Sequence, residues 1–212
     1  MKKLPIFISA GILAVVAFVF FLVTRVDYGE AKECANEILA TKTAVETFLN
    51  MADRDDAAAD SFEKAVPTAR EALNKLADSS ATKDSRVKED VEQAQAEFAK
   101  IEKSEHIWND VKAVEDLSEE SLSRLEKSES KYLSEFAKEY REYLKEFAAY
   151  KEKYGAKKDG DLIKEYGEIW NKGEELVQKS KASVEDIMGM SRDDIMAFYA
   201  KIEELNKYLA TK

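Results

Sequence analysis

Residues 133–154 read LSEFAKEYREYLKEFAAYKEKY. In this run Leu133, Phe136, Tyr140, Tyr143, Phe147, Tyr150 and Tyr154 follow one another at alternating steps of 3 and 4. That spacing puts all seven on one face of an α-helix and defines a coiled-coil-like seam, which other helices are expected to cover. The start of this helix is read at Ser118, a cap followed by Glu119 and Glu120 at the positive end of the dipole, with Leu117 positioned to staple onto Leu122. Its end is read at Gly155, before Lys157, Lys158, Asp159 and Gly160.

The same periodicity extends in both directions. Toward the N-terminus, Val87, Val91, Ala94, Phe98, Ile101, Trp108 and Val111 mark a helix capped by Asp84 or Ser85. Before it, Phe62, Val66, Ala69, Leu73 and Leu76 mark another, starting near Asp60, with Pro67 as a bend or a start. Cys34, Ile38, Val45, Phe48 and Ala52 form the face of a first helix running to about Asp53, where Asp53, Arg54, Asp55 and Asp56 read as a turn. Toward the C-terminus, Leu162, Tyr166, Ile169, Gly173 and Leu176, with Trp170 beside them, mark a fifth helix. Ser191 and Asp194 form a capping box for a sixth, which carries Ile195, Phe198, Ile202, Leu205 and Leu209.

Composition agrees with this pattern. Charged residues make up 36% of the chain, with only 7 Gly and 2 Pro among 212 residues, so long helices with solvated faces are expected and strand-forming runs are absent. Acid-to-base pairs four apart, such as Glu120 with Arg124, Glu168 with Lys172, Glu175 with Lys179 and Glu203 with Lys207, are read as solvated helix faces. The fold class expected is all-α: an N-terminal single transmembrane helix followed by an elongated antiparallel, up-and-down bundle of about five or six helices. Residues 1–25 form the anchor and residues 26–212 the bundle, with a subdivision near 117 as the alternative arrangement.

The anchor is residues 4–23, LPIFISAGILAVVAFVFFLV, which hold no ionisable side chain. As a helix they reach about 30 Å, the thickness of a bilayer core. Lys2 and Lys3 precede the run, whereas Asp27, Glu30 and Glu33 follow it, so the positive-inside bias keeps the N-terminus cytoplasmic and exports the bulk of the chain. This is a single-pass, bacterial-type signal-anchor. A cleavable signal peptide is the competing reading, but residues 23–26, VTRV, lack a small-x-small site. Ala10, Ala14 and Ala17 make a smooth stripe suited to packing within the membrane. Tyr28 and Arg25 suit the outer interface, Gly29 a flexible joint, and the helix is expected to run unbroken from the membrane to about Asp53.

Beyond residue 25 there are 30 basic against 43 acidic groups. Nucleic acid and anionic lipid are repelled by that surface. A single cysteine, Cys34, forms no intramolecular disulfide and reads as a core residue, or in a minority reading as a disulfide between copies. A single histidine, His106, builds no histidine-rich metal site, and the acidic turns at Asp53 to Asp56 and Asp159 to Asp161 lack the pattern of a calcium loop. No nucleophile elbow, phosphate loop or paired-histidine motif is present. A non-enzymatic protein without cofactor or metal is expected.

Six of the nine tyrosines lie between Tyr132 and Tyr166. Tyr132, Tyr140, Tyr143, Tyr150, Tyr154 and Tyr166, with Trp170, are therefore the candidate binding surface, because their rings pack while their hydroxyls need water or a partner. The function expected is an extracytoplasmic scaffold, tether or accessory subunit that binds other envelope or surface proteins, with homo-oligomerisation as one mode. The alternative is a helical module capturing a small apolar or aromatic molecule.

Overall fold

The computed structural model describes residues 26–51, 55–114, 116–154 and 160–212, with the side chains of 160–162 excepted. Its secondary structure is helical throughout: α1 (Tyr28–Ala40), α2 (Lys42–Leu49), α3 (Asp56–Asp78), a 3-10 turn (Ser80–Lys83), α4 (Ser85–Lys112), α5 (Glu119–Leu125), α6 (Lys131–Tyr154), α7 (Gly160–Lys179), α8 (Val184–Met188) and α9 (Arg192–Leu209). No strand occurs among the described residues. The predicted transmembrane segment 4–23, with Ala10, Ala14 and Ala17, lies outside the described residues. Among those described, no helix is long and apolar enough to cross a membrane.

Four rods, α1 with α2, α3, α4 and α9, close a ring. Residue pairs fix their directions. Tyr199 lies beside Thr41, Glu203 beside Lys42 and Asn206 beside Asn36, so α9 is antiparallel to α1. Arg70 meets Glu102 and Glu105, and Glu63 meets Lys112, so α3 is antiparallel to α4. The result is an up-down-up-down bundle in which the fourth rod comes from the end of the chain. Ile38, Phe62, Leu76, Ile101, Phe198 and Ile202 are fully buried in it, each such side chain contributing about 1.5–3 kcal/mol. Phe48 stacks on Phe62 at 4.0 Å between ring centroids, and the edge of Trp108 closes the cluster while its indole N–H donates to Glu63 at 2.9 Å.

Several boundaries differ from those read in the sequence. The first helix does not run on unbroken from the predicted membrane segment, because Asp27 is extended (φ −97°, ψ 101°) and its carboxylate caps the N–H groups of Gly29 and Glu30. Gly29 therefore belongs to the first turn of α1, and Tyr28 is half-buried in the bundle, its hydroxyl donating to Asp84 at 3.1 Å. The next helix begins at Asp56 under an Asp55 cap, earlier than Asp60, and continues through Pro67. The helix expected from Ser118 to Tyr154 is two: Ser118 caps α5, and Ser130 starts α6 by accepting from the Leu133 N–H at 3.2 Å. A short α8 is added, with its own capping box between Ser183 and Asp186 and a left-handed Gly189 (φ 63°) at its end. The helices are accordingly more numerous than five or six. The capping box of Ser191 and Asp194 and all five apolar residues assigned to the last helix are as expected, those five being buried.

Between α4 and α9 the chain leaves the bundle to form an arm. α6 and α7 pair antiparallel, and α5 and α8 brace their root against the end of α4. Leu122, Leu125, Leu133, Ala137 and Met188 seal this root into the same core as the bundle. Ser130 ties it further by donating to the carbonyl of Ile187.

The opposite end of the bundle is held by Asp84. Its carboxylate accepts from the Tyr208 hydroxyl at 2.8 Å, the Tyr28 hydroxyl at 3.1 Å and the Arg86 N–H at 3.0 Å, with Lys212 at 3.6 Å. Residues 1–25 join at this end. The 28 residues of α4 separate it from the arm's root by about 40 Å.

Candidate functional site

All seven residues of the candidate surface lie on the arm, but the arrangement differs from the covered seam read in the sequence. Among the described side chains, only Leu133 and Ala137 are buried on α6 and only Ile169 and Leu176 on α7. Beyond its root half the seam meets a single helix, α7, while at the root α5 and α8 also lie against α6 and Arg141 reaches Glu119, Ser123 and Glu126.

Along the seam the rings form two short ladders. Phe136, Tyr140, Tyr143 and Phe147 follow at 6.0, 6.0 and 6.1 Å between centroids. Tyr154, Tyr150, Tyr166 and Trp170 follow at 5.2, 5.9 and 6.1 Å, crossing from α6 to α7. The hydroxyls are used as tyrosine at a helix interface requires. Tyr132 donates to the carbonyl of Lys179, and burial pushes its phenol up from the ordinary value. Tyr154 donates to Glu165, whose carboxyl is lowered chiefly by that bond. Tyr143 lies over Gly173, where a side-chain carbon would meet its oxygen at 3.1 Å.

The two faces of the arm are chemically opposite. One is charged: Glu139 pairs with Lys179, Glu146 with Lys172 and Lys153 with Glu165. Lys172 and Lys179 thus pair across to α6 and not with Glu168 and Glu175 four residues away. Arg124 likewise pairs with Asp110 and Glu203 with Lys42. Ion pairs read as local helix support are interhelical.

The other face is apolar and open. Ile163 is 74% exposed, Trp170 56%, Val177 51% and Tyr166 43%. These residues share one stripe of α7, because steps of 3, 4 and 7 return to the same side of the helix. In that sector, which also holds Gly167, Asn171, Gly173 and Gln178, Glu174 is the only charge. The stripe borders a groove of about 330 Å³ lined by Phe136, Tyr140, Tyr143, Trp170 and Val177. A second hollow of about 270 Å³, at the root beside Val111, Val114 and Tyr132, shares Leu117, Phe136 and Ser180 with it. Leu117, read as a staple, is itself 37% exposed at the lip.

Ile163, Gly167, Val177, Phe136 and Leu117 are the surface residues that the tyrosine count missed. Their signal was present as a second apolar stripe on α7, beside the stripe that buries Ile169 and Leu176.

His106 is exposed on α4, its Nδ1 3.6 Å from Glu129, and Cys34 is buried in the bundle, which raises its thiol's pKa. Among the described residues no three His, Cys, Asp or Glu side chains converge as a metal-ligand set. Comparison of the chain with protein-family models, with curated proteins and with solved structures gives no match.

Proposed function

We propose that this chain is a membrane-anchored, non-enzymatic binding protein of the cell envelope. Residues 4–23 hold it in the bilayer, the four-rod bundle acts as a spacer outside, and the α6–α7 arm presents a docking face to other proteins. The observation that carries this reading is the uncovered stripe of Ile163, Tyr166, Trp170 and Val177. Large apolar and aromatic side chains left exposed along one stripe are characteristic of interaction surfaces. A buried aromatic anchor such as Trp is also the residue type that most often dominates interface energy. The arm's root is set at the far end of the bundle from residues 1–25, so the bundle fixes the reach of the docking face from the membrane.

The test is co-purification with the full chain from its own membranes. Trp170→Ala or Val177→Glu is expected to remove specific co-purifying protein, while Glu168→Ala on the charged face leaves it. Equal recovery with all three variants would contradict the proposal.

The two adjoining hollows of about 330 and 270 Å³ support a second reading, capture of a small apolar molecule. A saturable rise in the melting temperature of the full chain with one compound would favour that reading over protein docking.

A further inference from the structure

The exposed face of α7 is apolar on both sides of Trp170. Ile163 and Val177 lie seven positions to either side, Gly167 and Gly173 three, and Tyr166 and Glu174 four. Glycine inside a helix costs about 0.5–1 kcal/mol relative to alanine, so it normally has a packing reason. Gly173 has one, the Tyr143 ring. Gly167 has none among the described residues, where a side-chain carbon would meet nothing within 4 Å. It is a gap one turn from the most exposed aromatic ring of the arm.

From this we infer that α7 pairs antiparallel with α7 of a second copy across a two-fold axis at Trp170. The inference rests on the arm as a protein-docking face and names its occupant. An isologous interface needs a surface complementary to itself, and the spacing supplies one. Ile163 of one copy comes level with Val177 of the other and Gly167 of one with Gly173 of the other, so the two backbones can approach closely beside the Trp170 pair. Glu174, the one carboxylate of this face, comes level with a Tyr166 hydroxyl and not with a second carboxylate.

Charge selects the same face. A chain with 30 basic and 43 acidic groups beyond residue 25 repels its own copies over most of its surface, and this sector is nearly free of charge. In such a pair the arm roots, and with them the two bundles, lie at opposite ends, the geometry of a bridge.

Disulfide trapping in the full detergent-solubilised chain tests the pairing, in a Cys34→Ala background with two copies of distinguishable size. Copies carrying Ile163→Cys and copies carrying Val177→Cys are expected to cross-link when mixed and not when either is oxidised alone. Adding Trp170→Ala to both should abolish the cross-linked band while helix content by circular dichroism is unchanged. Absence of the mixed bond, equal bonding of Ile163→Cys with itself, or a bond that survives Trp170→Ala would overturn the inference. If the bond is absent and Trp170→Ala still removes a co-purifying protein, the docking function stands and the second copy is not its occupant.

Discussion

At the residue scale, two polar groups hold the bundle in register. Tyr199 is fully buried, with its hydroxyl 2.9 Å from that of Thr41, which itself donates to the Ile38 carbonyl at 2.7 Å where α1 gives way to α2. Burial raises the Tyr199 phenol to about 12. In the unfolded chain it ionises near pH 10, so the unfolded state sheds its proton first and stability falls as pH rises between about 10 and 12. Tyr199→Phe is therefore expected to cost about 1 kcal/mol at pH 7 and to lose that deficit near pH 11, read by urea unfolding at both values. Asp84 behaves with the opposite sign. The hydrogen bond from Tyr208, then those from the Arg86 N–H and Tyr28, with the Lys212 charge, lower its carboxyl to about 2. Its contribution is complete above about pH 4 and is lost as pH falls through about 2. Asp84→Asn keeps the helix cap but not the charge, so the melting temperature between pH 5 and 2 should fall less steeply than in the parent chain. Neither pair was legible in the sequence: Tyr199 lies outside the periodic set of its helix, and the partners of Asp84 are 56 and 124 residues away.

At the scale of the element, α7 decides the arm's behaviour. Gly167→Ala is expected to raise the stability of α7 by about 0.5–1 kcal/mol in dilute, monomeric protein, since none of the described residues occupies the space. Gly173→Ala should gain less or lose, because Tyr143 must give way. Hydrogen exchange at the α7 amides measures both, and the two variants should separate in that order. Helix positions inside the bundle were legible because four mutually covering rods leave a single apolar stripe on each. Val87, Val91, Ala94, Phe98 and Ile101 therefore fall where periodicity puts them, all buried. The division between α5 and α6 was not legible, because Leu122 and Leu125 continue a helical spacing and only the serines at 128 and 130 mark the turn. The open seam was not legible either. Alternation of 3 and 4 states that a face is apolar, but the number of neighbours depends on where α9 goes. It returns to α1 and α4, and so the arm is left with two helices.

At the scale of the whole molecule, the bundle separates the point where residues 1–25 join from the arm that carries the apolar face. The polar clasp of Asp84 closes one end and the sealed root of α5 to α8 closes the other. A net acidic surface disfavours contacts between like-charged regions, so binding is concentrated where charge is absent. Placing a photo-crosslinking amino acid at position 170 of the full chain in intact cells tests this most directly, with the same probe at position 168 on the charged face as the comparison. A discrete protein adduct from 170 and none from 168 is the expected result. Equal labelling from the two positions, or none from 170, would contradict the assignment of the arm's apolar face as the docking surface.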